Sequence, residues 1–150
     1  MSAELVFEKR TGKYDAMLVM RGGGVIEEVA CPKQPPIPHD MFHYAVETVL
    51  EKRGFMRRVT EGEAASFRMG PEATSEAVER LVETMQADSW SGRPDPAEVI
   101  EMFKVTCAAR GNAPFPLSAQ DIVDIRARID ALAAEWEALP VGGRMRLDPL

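Results

Sequence analysis

The segment AMLVMRGGGVIEEVA, residues 16–30, decides the fold class that the sequence predicts. Its first five residues are all apolar, which is typical of a strand inside a sheet, and residues 25–30 form a second strand. The glycine linker after Arg21 is far too short for a crossover, so the two strands must pair antiparallel. Residues 3–9 alternate between apolar and polar side chains and add a strand before them. The N-terminal part of the chain therefore predicts a three-stranded antiparallel meander.

Helical patterns fill most of the remaining chain. Four helices are predicted, at about 40–53, from Gly70-Pro71 to about Ala87, from Asp95 to Gly111, and at about 119–138. Asp95 and Ser118 have the side chains that helix N-caps require. Residues 144–147 alternate again and are a candidate edge strand of the N-terminal sheet. Strands followed by helices predict a single α+β domain over residues 1–150, with the helices packed against one face of the sheet.

The composition disfavours several kinds of partner and location. With 18 basic and 24 acidic residues, the net charge is −6, which opposes binding to the phosphates of a nucleic acid. No apolar run approaches the ~18 residues that a membrane span requires, so a membrane partner is not expected. The N-terminus lacks a secretory signal, and two isolated cysteines, Cys31 and Cys107, do not form a disulfide framework. We expect a cytoplasmic protein with reduced thiols.

The two histidines of the chain lie four residues apart, and this spacing suggests a metal site. His39-Asp40-Met-Phe-His43 has the frame of the zinc-protease pattern His-Glu-x-x-His, in which two histidines on one helix share an ion. The carboxylate beside the first histidine then acts as general base on metal-bound water. Glu47 and Cys31 are the candidates for a third ligand. One interpretation is therefore a zinc-dependent hydrolase with His39 and His43 as ligands and Asp40 as base.

The same residues also have a structural interpretation, and the sequence favours it. Asp40 is a good N-cap, which predicts a helix beginning at Met41 and leaves His39 outside it, stacked on Tyr44. His43 would pair with Glu47 one turn later and would tend to be neutral near the helix N-terminus. This interpretation predicts no metal and no cofactor.

Two short motifs carry a resemblance to known proteins. Pro38-His39-Asp40-x-x-His43 opens the first predicted helix, and Leu139-Pro140-x-Gly142-Gly143 precedes the candidate C-terminal strand. In these motifs and in length, the chain resembles a family of small, functionally uncharacterised bacterial proteins. The resemblance implies a shared α+β fold with the Pro-His-Asp turn as a common feature, and it implies no activity or catalytic residue.

These observations together predict a small bacterial binding or interaction protein without catalytic machinery. Its candidate ligand-binding residues are His39, Asp40, His43 and Glu47, and its partner is an unidentified protein or small molecule. An exposed edge strand would also allow two copies to pair as a homodimer.

Overall fold

A computed structural model describes residues 3–34, 36–50 and 73–147. Its strands are β1 (Glu4–Glu8), β2 (Tyr14–Arg21), β3 (Gly24–Pro32) and β4 (Arg144–Leu147). The helices in these ranges are α1 (His39–Leu50), α2 (Ala73–Trp90), α3 (Pro96–Ala109) and α4 (Ala119–Ala138). Strands and helices thus occupy separate parts of the chain, and the predicted α+β class is confirmed.

The sheet is antiparallel throughout, with the strand order β3-β2-β1-β4. Gly22 and Gly23 connect β2 to β3, and both have positive φ angles, 62° and 81°, as a two-residue hairpin turn requires. The predicted meander is therefore confirmed. The C-terminal strand also returns to the sheet, where Met145 lies opposite Phe7 and Leu147 opposite Leu5.

Some element boundaries differ from the predicted ones. β3 continues to Pro32, opposite Tyr14, because an edge strand tolerates a residue that has no N–H to donate. α2 runs to Trp90, beyond the predicted end. The predicted helix end at Gly54 and helix start at Gly70-Pro71 lie outside the described residues. Asp95 caps α3 through the backbone N–H of Ala97, and Ser118 caps α4 in a capping box, as predicted.

The first helix lies at the centre of the molecule. It packs against α2, α4 and the sheet, and every residue from Asp40 to Glu47 is buried. The predicted apolar faces of its neighbours complete the core, and they comprise Val78, Leu81, Val82 and Met85 of α2 and Ile122, Ile125, Ile129, Leu132 and Trp136 of α4. Since residues 40–47 are all buried, the polar side chains of Asp40, His43 and Glu47 are also held inside the protein.

Within the described ranges, the structure contains no helix that is long and apolar enough to cross a membrane.

Candidate functional site

Both histidines belong to α1, which begins at His39. The carbonyl of Pro38 accepts the backbone N–H of Met41 at 2.9 Å, so Pro38, and not Asp40, stands just before the helix. Residues four apart on a helix are neighbours, and the Nε2 atoms of His39 and His43 are 3.2 Å apart. The two rings meet edge to face, with centroids 4.9 Å apart. The predicted position of His39 outside the helix, stacked on Tyr44, is therefore wrong.

Asp40 has a different role from the predicted one. Its Oδ2 accepts a hydrogen bond from the Cys31 thiol at 2.9 Å, which joins the start of α1 to β3. Burial raises the pKa of Cys31 far above its usual value, and the neighbouring charge of Asp40 adds to this rise. Cys31 is thus a protonated donor. Asp40 is not the helix N-cap, since Pro38 stands at that position, and one of its two carboxylate oxygens is engaged by Cys31.

A third candidate ligand comes from α2. Glu79 places its Oε2 3.3 Å from Nε2 of His43, and its side chain is 23% exposed. Ligand atoms of His39, His43 and Glu79 all lie within 4.8 Å of one another. Two ligands bound tetrahedrally at ~2.1 Å from a zinc ion are ~3.4 Å apart, close to the two separations at His43. Two of the three separations therefore match those of ligands that share one ion, and the third is within 4.8 Å.

Glu47 lies on the other side of the His43 ring. Its Oε2 is 3.7 Å from Nδ1 of His43, and its side chain is fully buried. The predicted pairing of His43 with Glu47 is confirmed. The structure does not bring Glu47 together with His39 and Glu79, because Glu47 faces the other nitrogen of His43. The sulfur of Cys31, the second candidate for a third ligand, faces Asp40 instead. We call His39, His43, Glu47 and Glu79 the histidine cluster.

The electrostatics of the histidine cluster favour a positive charge. Burial lowers the pKa of His43, but the interaction with Glu47 and the charges of Glu79, Glu47 and Asp40 outweigh it and raise this pKa to about 9. His43 is therefore an imidazolium at neutral pH in the metal-free protein. The prediction of a neutral His43 is wrong, because it considered the helix N-terminus and not the surrounding carboxylates.

The sequence gives no signal for Glu79 as a site residue. It stands 36 positions after His43, on a helix whose predicted role is to bury an apolar face, and no motif spacing joins it to the histidines. Only the packing of α2 against α1 brings its carboxylate to His43.

A cavity of about 270 Å³ lies apart from the histidine cluster, between the proline-rich segment and the end of α4. Its charged lining is engaged in holding the fold together. Lys9 donates to the backbone carbonyls of Trp136 and Leu139 at 2.6 and 2.8 Å, and Lys33 pairs with the buried Asp15 at 2.7 Å. The histidine cluster, where ligand-type groups converge, is the stronger candidate site.

Comparison of the chain with protein families, with curated proteins and with solved structures found no match. The functional conclusion therefore rests on the geometry of the histidine cluster.

Proposed function

We propose that this protein binds one divalent transition-metal ion, with zinc as the first candidate, through His39, His43 and Glu79. The observation that carries the proposal is the convergence of two imidazole nitrogens and one carboxylate oxygen at separations of 3.2 and 3.3 Å. The proposal keeps the sequence-based expectation of a binding protein centred on the histidines. It differs from the favoured interpretation of the sequence in proposing that zinc binds there.

The charges of the site support the same proposal. Two carboxylates, those of the buried Glu47 and the partly exposed Glu79, lie on opposite sides of the His43 ring and favour positive charge there. A divalent cation bound to neutral imidazoles is attracted by both carboxylates. In the metal-free protein the imidazolium of His43 supplies positive charge at this position.

The donor atoms narrow the choice of metal. Imidazole suits zinc, copper, iron and nickel, whereas magnesium and calcium prefer sites made of oxygen atoms. Two histidines and one glutamate also form the ligand set of several catalytic zinc sites, which keep a fourth position for water. We propose binding rather than hydrolysis, because Asp40, the general base of the hydrolase interpretation, is engaged by Cys31.

Cytoplasmic location, a homodimer and a further protein partner stay predictions from the sequence. The metal proposal depends on none of them.

Direct metal analysis tests the proposal. Chelator-stripped, untagged protein is dialysed against buffered zinc, and its zinc content is measured. We expect one zinc per chain, and a loss of binding in His39→Ala, His43→Ala and Glu79→Ala. Glu83→Ala is the matched control, because Glu83 lies one turn after Glu79 on α2 and pairs with Arg80 at 2.9 Å.

Two results would contradict the proposal. One is a wild-type protein that retains no zinc. The other is a Glu79→Ala variant that binds zinc as tightly as Glu83→Ala does, since the ion would then be held elsewhere.

A further inference from the structure

His43 has different surroundings at its two ring nitrogens. Nε2 faces His39 at 3.2 Å and Glu79 at 3.3 Å. Nδ1 faces Glu47, whose Oε2 is 3.7 Å away, an ion-pair contact longer than a hydrogen bond, and whose side chain is fully buried. The nitrogen that faces the candidate ligands His39 and Glu79 is therefore not the nitrogen that faces Glu47.

This separation matters because an imidazole binds a metal through one nitrogen only. The ligating nitrogen needs a free lone pair, so the remaining proton of the neutral ring must sit on the other nitrogen. Histidines that bind metals usually donate this second N–H to a carboxylate, which fixes the ring orientation and makes the ligating nitrogen more basic.

We propose that Glu47 is the positioning residue of the site: it holds the proton of His43 on Nδ1 and thereby directs the Nε2 lone pair at the ion. The inference rests on the proposed function, because it assigns to Glu47 a role in metal binding. Glu47 itself does not touch the metal, since it lies behind the ring.

The location of Glu47 supports a role of this kind. It follows the buried apolar residues Ala45 and Val46 on a helix that is enclosed by the core, and its own side chain has no exposed surface. A carboxylate is costly at such a position unless a specific partner stabilises it. His43 is a partner on the same helix, one turn earlier, at the spacing that brings side chains together.

The test uses two substitutions of Glu47 and measures the zinc dissociation constant of each variant. Glu47→Gln keeps an oxygen acceptor but removes the charge, and Glu47→Leu removes both. We expect zinc binding to weaken about 10- to 100-fold in Glu47→Leu, with a smaller loss in Glu47→Gln. Asp88→Asn is the matched control, because it also neutralises a buried carboxylate on the described helices but lies beside Arg126, away from the histidines.

A second measurement identifies the nitrogen of the His43 ring that carries the proton. Long-range ¹H–¹⁵N NMR spectra of the His43 ring, recorded with zinc and without it at a pH where the ring is neutral, identify which nitrogen carries the proton. We expect Nδ1–H in both wild-type states and a change of tautomer in metal-free Glu47→Leu.

The outcomes separate this inference from the metal proposal. If the wild type binds no zinc, the proposed function fails and the metal-positioning role fails with it, while Nδ1–H in the metal-free protein still shows that Glu47 fixes the tautomer of His43. Zinc bound through Nδ1, a proton on Nε2 in the wild type, or unchanged zinc affinity in folded Glu47→Leu would each overturn the inference. If Glu47→Leu does not fold, the wild-type spectra and Glu47→Gln decide the question.

Discussion

Helix α2 carries two clusters of buried charge, and they are built differently. Near its C-terminal end, Asp88 receives two hydrogen bonds from the guanidinium of Arg126 on α4, at 3.0 and 2.8 Å. Nearer its N-terminal end, Glu79 belongs to the histidine cluster, where the nearest nitrogen of His43 is 3.3 Å away. Both clusters join α2 to another helix through a carboxylate.

The difference lies in the cation. Arg126 is permanently charged, it fits a carboxylate in a bidentate manner, and it also donates to the carbonyl of Pro94 at 2.6 Å. The Asp88–Arg126 pair is therefore complete and balanced in charge. In the histidine cluster the cation is the imidazolium of His43, whose charge can be lost as a proton. The comparison contrasts a closed structural pair with a cluster whose positive charge depends on pH.

The largest effect is expected from breaking the closed pair. Arg126→Met leaves Asp88 buried without its partner, and we expect the free energy of unfolding to fall by about 3–5 kcal/mol. Urea unfolding measures this change. The double variant Arg126→Met/Asp88→Asn removes the unpaired charge and should recover part of the loss. A loss below about 1 kcal/mol in the single variant would show that the pair does not stabilise the fold as a buried pair does.

The second effect distinguishes the titratable cluster from the permanent pair. The folded protein holds the His43 proton more tightly than the unfolded chain, whose histidines have a pKa of about 6.5. The resulting stabilisation is complete below about pH 6.5 and is lost as the pH rises through about 9. We expect a loss of about 3 kcal/mol across this window, since one pKa unit corresponds to about 1.4 kcal/mol.

This second prediction is measured by urea unfolding with a chelator present, at a series of pH values. His43→Gln should lose this pH dependence of the unfolding free energy, whereas Asp88→Asn should keep it. Equal stability of the wild type at both ends of the window would contradict the assignment of a charged His43.

The third effect replaces the proton with a metal ion. Free zinc at 100 times its dissociation constant should stabilise the fold by about 2.7 kcal/mol, because the ion binds the folded state. Differential scanning calorimetry should show a zinc-dependent rise in Tm that disappears in both His39→Ala and His43→Ala. Loss in only one of the two variants would indicate a different site, and Asp88→Asn should retain the rise.

The smallest effect comes from a pair that resembles Asp88–Arg126 in geometry but not in burial. Arg93 makes two contacts with Asp130, at 2.9 and 2.5 Å, while the Asp130 side chain is 58% exposed. We expect Asp130→Ala to lower the free energy of unfolding by about 0.2–1 kcal/mol, and by less at high salt. A loss of unfolding free energy comparable to that of Arg126→Met would show that the contact geometry, and not burial, determines how much such a pair stabilises the fold.

The sequence by itself determined most of the secondary structure and the fold class. The Gly22-Gly23 turn, the Asp95 and Ser118 caps and the apolar spacing of α4 are local signals, so each is readable without knowledge of its neighbours. The start of α1 was misplaced because Asp40 has the chemistry of an N-cap, and its bond to Cys31 on β3 is not a local feature.

The sequence also located half of the site. The four-residue spacing of His39 and His43 allowed a shared ion as an alternative to the favoured structural interpretation, and Glu47 was correctly paired with His43. An apolar pattern describes only the helix that contains it, so it could not show that the polar face of α1 is buried as well.

Only the tertiary structure decided what surrounds that polar face. The packing of α2 on α1 buries His43 and Glu47 and brings Glu79 to the ring, which converts surface-type side chains into a cluster of interior charges. The physical reason is that electrostatic interactions depend on distance and burial in space, and both are set by elements far apart in the chain.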